Sequence, residues 1–270
     1  MSSARRLRSF LIGLALTVSP GAAMAAPSCG GDFDSWIAGV KQEAAGQGIS
    51  AATIQSALSG VDYDRSIIAR DHAQGVFHQS FEQFSGRMVP PRLARGRRMM
   101  QQHGPLLARI ERQFGVPGAV IVAIWGLETD FGADNGRYPT IRALATLAYD
   151  CRRAEKFRAE LLAALRIVER GDMTAAQMHG AWAGEIGQTQ FLPSSYLKFA
   201  VDFDGNGHRD LIHSVPDVLA STANYLQAHG WQRDEPWDPG SANFEVLREW
   251  NKSEVYSKTV AEFAKRLEQE

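Results

Sequence analysis

Residues 120–127 read Val-Ile-Val-Ala-Ile-Trp-Gly-Leu, an apolar run that a water-soluble chain can place only in its core, and the next residue is Glu128. Pro117 suits a first helical turn and Gly132 a terminator, so the spacing predicts a helix over 117–130. Val120, Ile124 and Glu128 then share one stripe, and Ile121 and Trp125 line the neighbouring one, which makes the helix apolar nearly all round. Glu128 falls in its last turn, where the helix end presents it to a cleft. Burial disfavours the charged form of a carboxyl group, and a raised pKa is what a general acid needs near neutral pH. The alternative is a structural Glu paired with an arginine such as Arg142 or Arg153.

The remaining pattern is mainly α. Ser50–Gly60 carries a capping serine at its start and a glycine at its end, and further helices are expected around 66–84, 91–114, 140–149, 154–170, 174–182, 216–228 and 253–268. No sustained period-two alternation supports a sheet, there is no internal repeat, and the one linker-like stretch is Gln232–Gly240. The first 25 residues read as a secretory signal: Arg5, Arg6 and Arg8, an apolar core from Phe10 to Val18, then the small residues Ala22–Ala26. That core is too short to span a membrane. Removing its three arginines leaves 26 basic against 30 acidic residues, a balance that argues against nucleic acid as a partner. Cys29 follows Ala26-Pro-Ser28, which lacks the pattern of a lipid-attachment site, so a soluble exported protein is expected. Cys29 and Cys151 are the two cysteines, and in an oxidising compartment they most simply form one disulfide, two free thiols being the alternative.

A second unusual segment is Gly180-Ala-Trp-Ala-Gly-Glu-Ile-Gly-Gln-Thr-Gln-Phe-Leu-Pro-Ser-Ser-Tyr196. Its glycines allow close backbone approach, while Gln188, Gln190 and the aromatics offer amide hydrogen bonds and flat apolar faces, a mixture that binds sugars. A glycine-interrupted helix junction with polar caps has the same composition. Asp202-Phe-Asp-Gly-Asn-Gly-His208 matches the opening of a calcium loop, with side-chain oxygens at positions 1, 3 and 5 and glycine at 6, but position 12 is His213 and the nearest later acid is Asp217. A turn held by its own Asp and Asn side chains is the competing reading.

Taken in order, Leu127-Glu-Thr-Asp-Phe-Gly132, Ala143–Ala148, Arg152-Arg153, Gly187–Tyr196, Asn224-Tyr225, His229-Gly-Trp231 and Trp250-Asn-Lys-Ser-Glu-Val-Tyr256 resemble the membrane-bound lytic transglycosylase B family of bacterial peptidoglycan enzymes. The resemblance covers roughly residues 33 to 268. It implies a mainly helical, goose-type lysozyme-like catalytic domain. A helical region over 26–115 would pack on a core over 116–231, with an EF-hand-like loop at 202–217, and residues 232–270 would supply a short connection and a C-terminal helix that completes the cleft. It implies Glu128 as sole general acid and base, cleaving between N-acetylmuramic acid and N-acetylglucosamine with formation of a 1,6-anhydromuramoyl end. Asp130 points elsewhere on the helix, and no second carboxylate is evident beside Glu128, whereas ordinary glycosidases use a pair.

By the same resemblance Gln190, Arg153, Tyr225, Trp250, Asn251 and Tyr256 contact substrate, and Asp202, Asp204, Asn206, the carbonyl of His208 and Asp217 hold a structural calcium. No cofactor is implied for the chemistry. The implied setting is periplasmic, the partners are glycan strands and cell-wall machinery proteins, and the protein is expected to be a monomer. The rival readings are a lysozyme-type hydrolase and a silent peptidoglycan- or calcium-binding protein. Three features depart from the family pattern. Ala181 stands where a serine helps orient the acid, Trp250 replaces a tyrosine, and the connection between Trp231 and Trp250 is short. Orientation of Glu128 is then expected from Gln190 or a backbone group.

Overall fold

Side-chain oxygens start most of the helices, as expected where the first backbone N–H groups lack partners. Asp32, Ser50, Asp64, Ser214, Ser241 and Ser253 each accept from an amide in the following turn, and Ser80 with Gln83 forms a reciprocal capping box. In the computed structural model, which describes residues 28–73 and 79–269, the helices are α1 (Phe33–Gly46), α2 (Ala51–Leu58), α3 (Arg65–His72), α4 (Phe81–Met88), α5 (Pro90–Gln102), α6 (Gly104–Phe114), α7 (Gly118–Thr129), α8 (Thr140–Tyr149), α9 (Ala154–Glu169), α10 (Pro193–Phe199), α11 (Val215–Ala228), α12 (Ala242–Trp250) and α13 (Glu254–Glu268). The signal read over residues 1–25 lies outside the described residues.

Helix α7 is the axis of the molecule. Every residue from Gly118 to Leu127 is buried, and α5, α6, α11 and α13 pack around it. Each large aliphatic side chain in that run contributes about 1.5–3 kcal/mol by leaving water. Gly126 sets how closely the wrapping helices approach: a Cβ there would lie 2.7 Å from Phe131 and 3.0 Å from Phe263 of α13. The first three helices pack on α8 and α9, with α2 against α9, and α1 and α3 against α8. Cys29 and Cys151 are joined in a disulfide that ties the start of the described chain to the turn between α8 and α9.

Several boundaries differ from the sequence expectation. The helix expected over 91–114 is broken at His103, because Pro105 has no N–H to continue the ladder. The one expected over 66–84 is divided into α3 and α4, and residues 74–78 between them lie outside the described residues. No helix forms over 174–182. That stretch is turns ending in the strand β2 (His179–Gly180), which pairs antiparallel with β1 (Tyr138–Pro139), Tyr138 opposite Gly180. Gly180 explains this: a Cβ would fall 1.7 Å from the carbonyl oxygen of Glu185, an approach a helix would not allow. α1, α10 and α12 are helices that the periodicity does not announce.

Gly126→Ala is a test of the packing. In an open helix the change gains up to about 1 kcal/mol of propensity, but overpacking against Phe131 and Phe263 costs about 1–3 kcal/mol. Urea unfolding is expected to show net destabilisation; a stability equal to or above that of the parent would contradict the packing described.

Candidate active site

The last turn of α7 carries Glu128 into a cleft of about 460 Å³ that Thr189, Gln190, Phe191, Tyr225, Trp250 and Asn251 also line. Past Glu128 the backbone turns left-handed for three residues, Asp130 (φ 52°), Phe131 (φ 59°) and Gly132 (φ 76°). Asp130 is held there by Arg92 and Arg95, and so points away from the cleft. Thr129 anchors the turn by donating to the carbonyl of Gln188 (2.5 Å) and accepting from the Gly132 amide (3.0 Å). Gln188 in turn accepts from the Trp125 indole (2.8 Å) and donates to Ile212 (2.8 Å). The acid-bearing helix end is thus fixed to the 185–191 loop.

Two neutral donors reach the acid. The Trp250 indole N–H (3.0 Å) and the Tyr256 hydroxyl (2.6 Å) both donate to Oε1 of Glu128. α13 packs along α7, which brings Tyr256, at the third helical position of α13, and Trp250, the last residue of α12, to the acid. Burial pushes the Glu128 carboxyl above its ordinary value, the hydrogen bonds from Tyr256 and Trp250 oppose this, and the charge of Glu185 adds to it. Tyr256 is itself held well above its ordinary value by burial and by Glu128, so it stays a neutral donor. With Oε1 accepting twice, Oε2 is the oxygen left to carry the proton.

This arrangement corrects the expectation that Gln190 or a backbone group orients Glu128. Gln190 has a positive φ of 54°, and its amide is spent inside the loop: Oε1 accepts from the Ala181 N–H (3.0 Å), and Nε2 donates to Asn135 (3.1 Å) and Gly187 (2.6 Å). Trp250 and Tyr256, expected to contact substrate, act first on the acid. Neither arginine pairs with Glu128, since Arg142 binds Asp62 and Asp64 while Arg153, with Arg152, binds the buried Asp71. Arg153 also stacks on Phe157 and lines a side lobe of the cleft rather than the part around Glu128. Tyr225 donates to Glu249 (3.0 Å) and packs edge-on against Trp250; Asn251 accepts from the Ser253 amide (2.9 Å).

A second carboxyl, absent from the sequence expectation, lines the same cleft. Glu185 accepts from the Ala183 N–H (3.0 Å), and its group is raised by burial, opposed by its own and the Ala183 amide and by Lys156 and Arg153. Its signal was present in the sequence as an acid inside Gly184-Glu-Ile-Gly187, a glycine-framed turn where a charged side chain is out of place.

The acidic loop lies apart from the cleft. Carboxylate oxygens of Asp202, Asp204 and the fully buried Asp217 come within 4.8 Å of one another. Each also accepts backbone amides: Asp202 from Gly205, Asn206 and Gly207; Asp204 from Asn206; Asp217 from Phe203, Asp204 and Asp210. Asn206 accepts from the amide of His208, and Asp210 engages His213, which takes that histidine away from the three acids.

The model of the transglycosylase SLT domain matches residues 32–241. Membrane-bound lytic murein transglycosylase B of Escherichia coli is 38% identical over 149 residues, 55% of this chain and 41% of that protein, so the match spans less than half of that relative's length. SltB3 of Pseudomonas aeruginosa, solved in complex with NAG-anhNAM-pentapeptide, superposes with a TM-score of 0.84 at 32% identity, covering 89% of this chain and 80% of that one. The Escherichia coli lytic transglycosylase Slt35 in complex with calcium gives 0.76 at 25% identity, over 89% and 96% of the two chains.

The environment of Glu128 has a consequence for stability. A carboxyl whose pKa is higher folded than unfolded penalises folding above the folded pKa, and the penalty disappears below the unfolded one. Glu128→Gln is therefore expected to raise the melting temperature near pH 7, with the gain vanishing below about pH 4. A gain independent of pH, or a loss near neutrality, would contradict the raised pKa.

Proposed function

The chain belongs to the transglycosylase SLT domain family, and from that premise we propose that it is a lytic transglycosylase that cleaves peptidoglycan between N-acetylmuramic acid and N-acetylglucosamine, leaving a 1,6-anhydromuramoyl end. The observation that carries this reading is the carboxyl of Glu128, raised by burial and held on one oxygen by Trp250 and Tyr256 inside the cleft.

In the first step the Oε2 proton of Glu128 passes to the glycosidic oxygen as its bond to the anomeric carbon breaks. The resulting carboxylate is stabilised by the two donors already aimed at Oε1, which need no reorganisation. In the second step that carboxylate takes the proton of the muramoyl 6-hydroxyl as its oxygen bonds to the anomeric carbon, which returns Glu128 to the acid form. No water is consumed. Tyr225, backed by the buried Phe191, offers the sugar rings an apolar contact, with Asn251 as a polar contact at the rim.

The protein acts on glycan strands as a monomer exported to the periplasm. Among the described residues no helix is long and apolar enough to cross a membrane. Asp202, Asp204, Asn206, the carbonyl of His208 and Asp217 would hold a structural calcium: three carboxylates converge, and Asp217 is buried against the charge of Asp204, a burden that a divalent cation relieves. Such an ion would brace the loop that enters α11 and take no part in proton transfer. Added calcium is expected to raise the melting temperature of the parent but not of Asp217→Asn; an equal response in both would exclude this site.

The carboxyl of Glu185 gives a hydrolytic reading its one support, and product analysis separates the two. Sacculi digested by the parent are expected to release muropeptides with anhydro ends, lighter by one water than reducing ends, and Glu128→Gln is expected to lose at least about a hundredfold in rate. Reducing ends as the main product would establish the hydrolase, and full activity in Glu128→Gln would remove the residue assignment.

A further inference from the structure

Glu128 and Glu185 line one cleft from different supports. Glu128 comes from the rigid end of α7, while Glu185 comes from the loop leading to the Ile186–Phe191 bridge. Glu185 is fixed through both its backbone and its side chain. Its carbonyl oxygen is wedged against Gly180 and accepts from Thr140 (3.3 Å), and its side chain is held by the Ala183 amide. It stands where the cleft meets the side lobe, with Lys156 and Leu192 shared by both.

The two carboxyls have different neighbours. Glu128 meets neutral donors: Tyr256 of α13 and Trp250 of α12. The charges on the elements around it are otherwise engaged. Arg92 and Arg95 of α5 turn to Asp130, Glu249 of α12 pairs with Lys252, and Lys258 of α13 pairs with Glu254. His103, between α5 and α6, meets Trp125 edge-on, and Tyr225 of α11 is bound to the Glu249 carbonyl. Glu185 instead shares its part of the cleft with Lys156 at the start of α9, while Arg153, committed to Asp71, lines the side lobe; with the amide donors they oppose the rise that burial imposes on its carboxyl. Two carboxyls that feel one another in a partly desolvated cleft do not both ionise readily, and the proton stays where no cation stands.

We propose that Glu185 is a positioning residue for catalysis: held by the Ala183 amide in the cleft that Glu128 and Lys156 also line, its carboxylate is a like charge that keeps the proton on Glu128. This assigns the acid of the reaction before substrate arrives, by the rule that paired groups in unlike surroundings take opposite roles. The anion stands in the cleft without becoming a nucleophile, so the product stays anhydro. The inference rests on Glu128 being the acid.

The test is the pH dependence of the initial rate on sacculi at sub-saturating concentration, where the alkaline limb reports loss of the last proton from the pair in the free enzyme. Glu185→Gln removes the like charge, so the limb moves to lower pH by about one unit, a rate about tenfold lower at a given pH on its alkaline side, with anhydro products unchanged. Lys156→Met has the opposite sign. Without the cation Glu185 competes for the proton, so the limb moves to higher pH and the plateau falls. A limb that stays in place in both variants, whatever the fall in rate, would overturn the proposal and leave Glu185 a structural residue. Should Glu185→Gln fail to fold by its melting curve, Lys156→Met decides alone. The two readings fail separately: an active Glu128→Gln removes the acid assignment, whereas an inactive one with an unmoved limb removes only the role of Glu185.

Discussion

A carboxyl group at the end of a wholly apolar helix has to be solvated by the protein, and the pair of hydrogen bonds from Trp250 and Tyr256 does this at Glu128. Much of the architecture follows from the need to keep that pair in place. α13 lies along α7 because Gly126 leaves room for Phe131 and Phe263, and this packing delivers Tyr256 to the acid. The left-handed turn at 130–132 ends α7 directly after Glu128, and Arg92 and Arg95 hold Asp130 in it. Both donors are neutral. A cation in their place would favour the ionised acid before substrate is bound, whereas neutral donors leave burial dominant and still receive the charge once the proton has gone.

The second anchoring comes from the N-terminal helices. Asp71 of α3 is buried with Arg152 and Arg153 on it, which places the start of α9, and hence Lys156, beside the cleft. A buried carboxylate with two guanidinium partners is balanced, and it fixes Arg153 at that corner. The disulfide between Cys29 and Cys151 fastens the same corner. Across the molecule, Gln188 and Gln190 spend their amides on backbone and indole groups, so the loop that carries Glu185 holds its shape without ligand.

What was legible in the sequence was local. The run from Val120 to Leu127 predicted α7 nearly to its ends, because an apolar stretch with Pro before it and Gly after it has one physical solution. The capping serine at 50 marked a true helix start. Tertiary facts were not legible. Trp250 and Tyr256 were readable as cleft residues, but their shared oxygen depends on α13 crossing α7. Gln190 looked like the group that orients Glu128 because nothing in its own segment reveals a left-handed backbone that folds the amide inward. The turns and short strand over 174–182 carry a helical composition overridden by the close pass of Gly180 over Glu185. Glu185 itself was visible as an acid among glycines, yet its closeness to Glu128 arises only when α7 and the 185–191 loop are tied through Thr129 and Gln188.

Proton transfer from Glu128 requires that it hold a proton near neutral pH, and a direct titration decides this. Carbon-13 NMR of the glutamate side-chain carboxyls, with Glu128→Gln to identify the resonance, follows that one group through pH. A midpoint clearly above the ordinary glutamate value is predicted, with a second, weaker inflection as Glu185 titrates. A midpoint at or below the ordinary value would mean that Glu128 is already a carboxylate when substrate arrives, and the proton-transfer scheme would fall with it.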